Sequence, residues 1–246
     1  MSAKISIEHI TKAFPTRGGG ARGAPGDALV AIDDVDFTVG DGEFLVVVGP
    51  SGCGKSTLLD LLGGLTRPTG GRILLDGREI DGPGLDRGIV FQQYALFPWR
   101  TALGNVEFGL TAQGVGRARR RARAREFLAL VGLDGFEDRY PHELSGGMKQ
   151  RVAIARSLAY DPEVLLMDEP FAALDAQTRE VLQGELLRIW AQTGKTIIFI
   201  THGIDEAVVL GQRVLVLTAR PGTVKASIAI DLPARGAGGD VRSTPE

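Results

Sequence analysis

The amino-acid sequence predicts an α/β fold in which a mostly parallel sheet is covered by helices on both faces. Short, nearly continuous apolar runs alternate with helix-like stretches, as expected for buried parallel strands. Strict apolar–polar alternation at Val35, Phe37 and Val39 instead predicts a strand with one solvent-exposed face. We therefore expect antiparallel structure near the N-terminus that leads into the α/β core. The predicted buried strands are residues 44–48, 73–75, 89–91, 164–167, 197–200 and 214–217.

The chain is expected to form a single domain over residues 1–246 with one helical insertion. Residues 97–160 are mostly helix-like and lie between two predicted core strands, which indicates an inserted helical subdomain. The glycine-rich segment 17–28 is typical of a flexible surface loop. The polar tail 234–246 is expected to be flexible as well.

Composition excludes several classes of protein. The formal net charge of -2 argues against a general nucleic-acid binder, which is usually basic. A single cysteine allows no intrachain disulfide, and the N-terminus lacks the features of a signal peptide. No apolar run approaches the roughly 18–20 residues that span a bilayer. We expect a cytoplasmic chain, unless a partner holds it at a membrane.

A glycine-rich segment after the first buried strand matches the phosphate-binding pattern G-x-x-x-x-G-K-[ST]. Its glycines allow backbone N–H groups to face phosphate oxygens, and the following helix-like segment 57–65 adds a positive dipole end. Lys55 is expected to neutralise the β- and γ-phosphates, and the Ser56 hydroxyl to bind Mg²⁺. The strand–loop–helix context disfavours the alternative, an ordinary glycine-rich turn. The predicted nucleotide-binding residues are Gly49, Pro50, Ser51, Gly52, Cys53, Gly54, Lys55, Ser56 and Thr57, with Cys53 as a small spacer.

Two acids follow the predicted strand 164–167. Because parallel strands deliver their carboxyl ends to one edge of the sheet, Asp168 and Glu169 are expected there, where α/β proteins bind ligands. Asp168 would hold Mg²⁺, directly or through water, and Glu169 would polarise the water that attacks the γ-phosphate. A strand end that is acidic by chance is the alternative.

A second glycine motif, LSGGMKQR at residues 144–151, opens another helix-like stretch that Ser145 can cap. With this motif the chain resembles the ATPase subunits of ABC transporters over nearly its whole length. Other motifs occur in the order typical of that family. Gln92 resembles the Q-loop glutamine, although Gln93 stands beside it. Asp175 resembles the D-loop aspartate, His202 the switch histidine, and Phe14 the aromatic residue that stacks on adenine.

The resemblance implies a P-loop NTPase (RecA-like) core with an N-terminal antiparallel β subdomain and an inserted helical subdomain. It also implies ATP and Mg²⁺ as cofactors, with Ser56, Gln92 and Asp168 as metal ligands and Glu169, His202 and Gln92 as catalytic residues. Two subunits would bind ATP between the phosphate loop of one and the signature helix of the other, so that Ser145 and Gly147 act in trans. The further partners would be integral membrane permease subunits on the cytoplasmic side of the cell membrane and, indirectly, a solute-binding protein.

The segments 81–92, 96–101, 105–110 and 219–222 resemble the nitrate, sulfonate and taurine importer group, and taurine-type subunits most. This resemblance implies uptake of taurine or another alkanesulfonate. The alternatives are a nitrate or other small-anion importer, a soluble non-transport ABC ATPase, and an ATP-gated clamp without hydrolysis. Glu169 and His202 weigh against the clamp.

Two surface features have more than one interpretation. The aromatic segment 94–99 would dock a coupling helix of the permease or simply pack inside the helical subdomain. The arginine run 117–125 indicates a solvated helix face, with contact to anionic lipid head groups as the alternative.

Overall fold

The computed structural model describes residues 3–15 and 28–231. The predicted flexible tail and all of the glycine-rich segment except Ala28 lie outside the described residues. The described chain divides into two compact units. One contains the segments up to Gly84 and Ile200–Ile230, and the other contains Leu85–Phe199. The helical subdomain predicted over 97–160 lies within the second unit and remains a prediction as a separate subdomain.

The first unit contains the expected antiparallel sheet. The long strands β1 (Ala3–Pro15) and β2 (Ala28–Gly40) pair with Ile5 opposite Val39 and Ile7 opposite Phe37. Val35, Phe37 and Val39 are buried while the residues between them are exposed, which confirms the alternation seen in the sequence. The strands are β1 (Ala3–Pro15), β2 (Ala28–Gly40), β4 (Gly70–Leu75) and β5 (Arg78–Glu79), in the order β2-β1-β4-β5.

Strand β4 corrects one prediction. The apolar run 73–75 was expected in the parallel sheet, but it belongs to the antiparallel sheet beside β1. Ile73 and Leu75 are buried and Leu74 is half-buried, so only one face of the strand is covered. A run of three apolar residues is too short to distinguish a strand buried on both faces from a strand buried on one.

The first unit also contains strand β3 (Phe44–Val48), which is buried along its whole length and precedes helix α1 (Lys55–Leu62). It pairs in parallel with β9 (Arg213–Leu217), and helix α6 (Ile204–Leu210) packs on it. An antiparallel strand, β10 (Val224–Ala229), borders β9. The sequence analysis did not identify β10: Val224, Ala226 and Ile228 alternate with polar residues, but most side chains of the strand are exposed and form no buried apolar run.

The second unit contains the neighbouring strands β6 (Arg87–Val90), β7 (Val164–Asp168) and β8 (Thr196–Ile200), whose last residue belongs to the first unit. Strands β6 and β7 are parallel, as predicted. Helices α2 (Ala102–Ala112), α3 (Arg117–Leu130) and α4 (Gly146–Ala159) lie between β6 and β7 in the chain, and α5 (Ala176–Thr193) follows β7.

Local sequence explains where these helices begin. Thr101, Ser145 and Asp175 cap α2, α4 and α5, and each side-chain oxygen accepts the backbone N–H of the residue three positions later. Helix α3 begins without a side-chain cap and carries the arginine run. The run is only partly solvated, because Arg120 donates to the Val115 carbonyl and Arg123 to the Ala159 carbonyl.

Candidate active site

The phosphate loop lies between β3 and α1, in the strand–loop–helix context that the sequence predicts. Gly54 has a left-handed backbone with φ of 99°, and a Cβ there would lie 2.8 Å from the Ala31 carbonyl oxygen. A Cβ on Gly49 would lie 2.8 Å from the sulfur of the buried Cys53. The loop therefore requires glycine at both ends, and Cys53 is a packing residue, as expected.

Lys55 closes the loop. Its Nζ donates to the carbonyl oxygens of Gly49 at 2.9 Å and Pro50 at 3.0 Å, and the residue is 7% exposed. The backbone N–H groups of Ser51, Gly52 and Gly54 have no hydrogen-bond partner within residues 3–15 and 28–231. A buried ammonium beside unpaired amides forms a cradle that suits the phosphate oxygens of a nucleotide. The Ser56 side chain is exposed at the first turn of α1, where it can reach a ligand.

His202 belongs to the same unit as the phosphate loop. The Thr201 N–H donates to the carbonyl oxygen of Val47, two residues before Gly49, at 3.2 Å. The Thr201 hydroxyl bonds to the Glu206 carboxylate and accepts the Gly203 N–H at 3.0 Å. These bonds fix the backbone on both sides of the exposed His202, and Thr201 and Glu206 were not identified from the sequence.

Phe14, also in this unit, is 39% exposed near the end of β1, and Lys12 Nζ lies 5.1 Å from its ring centroid. The ring is thus an accessible aromatic face in the first unit.

The two predicted acids lie at the end of β7 in the second unit. Asp168 is the last residue of the strand and Glu169 follows it, and both are half-buried. Glu169 has a left-handed φ of 43°, which is rare for a residue other than glycine and costs about 1–2 kcal/mol. Such backbone strain is concentrated at functional sites. Gln92 and Gln93 are exposed in a turn two residues beyond β6.

The signature motif opens helix α4, as predicted. The Ser145 hydroxyl accepts the Met148 N–H at 3.3 Å. Gly147 is buried, and a Cβ there would lie 2.8 Å from Thr178 Cγ2, so α5 leaves room only for glycine. Asp175 caps α5 by accepting the N–H and hydroxyl of Thr178 at 2.9 and 2.8 Å, and the bond from this N–H lowers the pKa of Asp175. In the structure, the Asp175 carboxylate thus stabilises the start of α5.

An apolar pocket of about 340 Å³ lies within the second unit. Asn105, which is fully buried, shapes the adjacent loop: its side chain accepts the Phe97 N–H and donates to the carbonyls of Phe97, Arg100 and Thr101. The sequence did not indicate this role, because an asparagine inside a helix carries no local signal of burial. The lining includes Leu85, Phe91, Phe97, Phe108, Arg156 and Tyr160.

Together, the α/β architecture and the glycine-rich phosphate loop define a P-loop nucleotide-binding protein. The family model described as "ABC transporter" matches residues 32–172, which is more than half of the chain. The chain therefore belongs to the ATP-binding cassettes of ABC transporters, which bind and hydrolyse ATP. The predicted fold class and enzymatic activity are confirmed.

Relatives support the same family. An uncharacterised ABC transporter ATP-binding protein of Methanocaldococcus jannaschii is 56% identical over 232 residues, which cover 94% of this chain and 84% of the relative. The taurine import ATP-binding protein TauB of Burkholderia pseudomallei is 50% identical over 242 residues, covering 98% and 90%.

A solved dimeric structure of an ATP-binding cassette, in a post-hydrolysis state with ADP and Pi, is similar with a TM-score of 0.78 and 34% identity. The match covers 92% of this chain and 99% of that chain. Within the described parts of our chain, no helix combines the length and apolarity needed to cross a membrane.

Proposed function

We propose that this chain is the ATP-hydrolysing subunit of an importer for a small organic anion, taurine or another alkanesulfonate. The observation that carries this proposal is the 50% identity to taurine import ATP-binding proteins along almost the whole chain. The segments 81–92, 96–101, 105–110 and 219–222, which resemble the same importer group, add support from the sequence.

In the proposed reaction, the unpaired loop amides and Lys55 bind the phosphates of ATP, and Phe14 stacks on the adenine. Glu169 accepts a proton from the attacking water, while His202 and Gln92 contact the γ-phosphate and the water. The role of Lys55 is supported by its ammonium group, which donates to the Gly49 and Pro50 carbonyl oxygens of the loop. A bound phosphate can replace these carbonyl groups as the hydrogen-bond acceptor.

Mg²⁺ fits the oxygen donors that the chain offers. The Ser56 hydroxyl, the Asp168 carboxylate and the Gln92 amide oxygen are hard ligands of the kind that Mg²⁺ takes together with substrate phosphates. When bound, the ion neutralises charge that develops on the phosphate oxygens.

Glu169→Gln tests the catalytic assignment. It removes the proton acceptor and keeps the shape, so Mg-ATP binding should persist while phosphate release falls by at least about a hundredfold. Lys55→Ala, in contrast, should weaken nucleotide binding itself. Near-normal phosphate release from Glu169→Gln would refute the role of this acid.

We further propose that two copies share each ATP, with Ser145 and Gly147 acting on the nucleotide of the partner copy. Ser145→Arg and Lys55→Ala should each be inactive alone, because each spoils both sites of a symmetric dimer. Mixed dimers of the two variants retain one intact site, so a 1:1 mixture should regain about a quarter of wild-type activity. No recovery on mixing would refute the shared site.

The pocket in the second unit is the proposed docking site for a helix of the permease, on the cytoplasmic side of the membrane. Its exposed aromatic lining suits such a contact, since Phe91 is 36% and Phe108 is 44% exposed. Arg100 lies over both Phe97 and Phe108, with its guanidinium carbon 5.6 and 5.3 Å from the two ring centroids.

Reconstitution with the cognate permease and solute-binding protein tests the substrate. Taurine should stimulate ATP hydrolysis and drive its own uptake into vesicles, whereas nitrate should do neither. If nitrate alone stimulates hydrolysis, nitrate replaces taurine as the proposed substrate. ATP hydrolysis that neither the permease nor any solute changes would favour a non-transport ATPase.

A further inference from the structure

Arg156 in helix α4 is a largely buried cation that is held by backbone carbonyl groups. Its guanidinium donates to the Ala95 carbonyl oxygen at 2.6 Å and to the Tyr94 carbonyl oxygen at 3.0 Å. No carboxylate lies within 4.0 Å of it in the described part of the chain. Burial lowers the pKa of Arg156. Burying a charge that no carboxylate neutralises costs free energy. The burial of Arg156 against these two carbonyl groups therefore requires an explanation.

The two carbonyl groups belong to an unusual turn. Tyr94 and Ala95 are consecutive residues with left-handed φ angles of 56° and 46°, and neither is glycine. This backbone conformation is unfavourable for both residues and persists only where the surroundings enforce it. The planar guanidinium reaches both carbonyl oxygens at once, which a lysine ammonium on a flexible stem does less well.

The same turn carries Gln92. The Tyr94 N–H donates to the Phe91 carbonyl at 3.2 Å, and the Ala95 N–H donates to the Gln93 carbonyl at 2.5 Å. Gln92 therefore lies inside a hydrogen-bonded turn whose following residues are fixed by Arg156.

Arg156 also lines the apolar pocket, and its guanidinium carbon lies 5.9 Å from the ring centroid of Phe97. A side chain that fills this pocket would contact the guanidinium or the ring beside it. One residue thus links three features of the second unit: the signature helix, the pocket and the turn that carries Gln92.

We propose that Arg156 is a positioning residue that holds the Gln92 turn in its active geometry. The inference rests on the proposed role of Gln92.

Arg156→Lys tests the positioning role in the intact chain. It keeps the charge and most of the volume but loses the fork that spans two carbonyl groups. Because hydrogen bonds of charged groups are involved, kcat for ATP should fall about tenfold or more, while KM for ATP stays within about twofold. The matched control is Arg123→Lys, since Arg123 also donates to a backbone carbonyl and lies over a phenylalanine ring. Its kcat should remain at the wild-type level.

Rescue distinguishes positioning from a general loss of stability. Ala95→Gly removes the unfavourable left-handed alanine, so it should restore much of kcat in the Arg156→Lys background and change little alone. If Arg156→Lys does not fold, Ala95→Val provides the test with the arginine in place. A β-branched side chain opposes the left-handed conformation and should lower kcat without changing KM.

Wild-type kcat in Arg156→Lys or in Ala95→Val would overturn the proposal, as would a loss of kcat that Ala95→Gly does not restore. In the reconstituted transporter, Arg156→Lys should also lose at least about tenfold of the solute-stimulated rate. These kinetics use the isolated chain as well as the transporter. If the importer function is wrong, the wild-type transporter shows no stimulation by solute. If the Arg156 proposal is wrong, Arg156→Lys keeps the wild-type kcat in the isolated chain.

Discussion

Gly147 offers a sharp test of the packing at the start of the signature helix. A Cβ at this position would lie 2.8 Å from Thr178 Cγ2, whereas ordinary contacts of this kind are at least about 3.4 Å. Overpacking of this degree costs about 1–3 kcal/mol, and the higher helix propensity of alanine returns about 0.5–1 kcal/mol. Gly147→Ala should therefore destabilise the chain by about 1–2 kcal/mol, which lowers Tm by about 3–6 °C in a chain of this size.

The neighbouring glycine is the matched control. The nearest atom to a Cβ on Gly146 is the Tyr94 hydroxyl oxygen at 3.3 Å, at the far end of a side chain that can move slightly. Gly146→Ala should therefore leave Tm unchanged or raise it. The two variants differ by one position in the same helical turn, so the difference in Tm isolates the contact with Thr178.

Thr178→Ser supplies the rescue. It removes the obstructing Cγ2 and keeps the hydroxyl that donates to Asp175 at 2.8 Å. The double variant Gly147→Ala with Thr178→Ser should regain most of the lost Tm in a thermal melt, with a coupling energy of about 1 kcal/mol or more. If Gly147→Ala has the same Tm as Gly146→Ala, or if Thr178→Ser does not raise the Tm of Gly147→Ala, the steric reasoning is wrong.

Other perturbations follow from single contacts. Glu43→Ala should lower the free energy of unfolding by about 2–3 kcal/mol in urea denaturation, because Arg213 donates to both carboxylate oxygens at 2.6 and 3.1 Å in a largely buried pair. A loss no larger than that of an exposed ion pair, about 0–1 kcal/mol, would contradict this. The hydrogen bond from Lys195 lowers the folded-state pKa of Asp161. The pair therefore stabilises the folded chain at pH values above the ordinary pKa of 3.8, and this contribution disappears as the pH falls through the lowered pKa. Asp161→Asn should lack this acid-sensitive contribution of less than about 1 kcal/mol, measured as urea midpoints against pH. Glu169→Gly should be as stable as wild type or more stable by up to about 1 kcal/mol, since it relieves a left-handed glutamate, and a clear loss of stability would argue against strain there.

Much of this site could be predicted because its motifs are contiguous in sequence. The phosphate loop needs glycine where the backbone is left-handed or crowded, and both conditions hold at Gly54. Ser145 could be predicted as a helix cap because the capped N–H lies only three residues away. Local chemistry of this kind is visible without knowledge of the fold.

The remaining features depend on partners that are distant in the chain. Arg156 bonds to carbonyl groups 61 and 62 positions earlier, and no periodicity indicates which arginine in a helix turns inward. Asn105 is fully buried, yet an amide in a helix usually faces solvent. Strand β4 lies in the antiparallel sheet because it pairs with β1, which is distant in sequence. Three consecutive apolar residues could not predict that partner.

Left-handed residues show how the chain resolves a conflict between backbone and side chain. At Gly54 no side chain is needed, and glycine satisfies the φ of 99° without strain. At Glu169 the same region of backbone space is occupied by a residue whose carboxylate serves the proposed chemistry, so glycine is not an option there. Tyr94 and Ala95 are a third case, because there the strain is offset by an arginine from another element. Strain that a distant side chain offsets can be released when that side chain moves. The turn that carries Gln92 can therefore change its conformation, whereas the glycine-built phosphate loop stores no such strain.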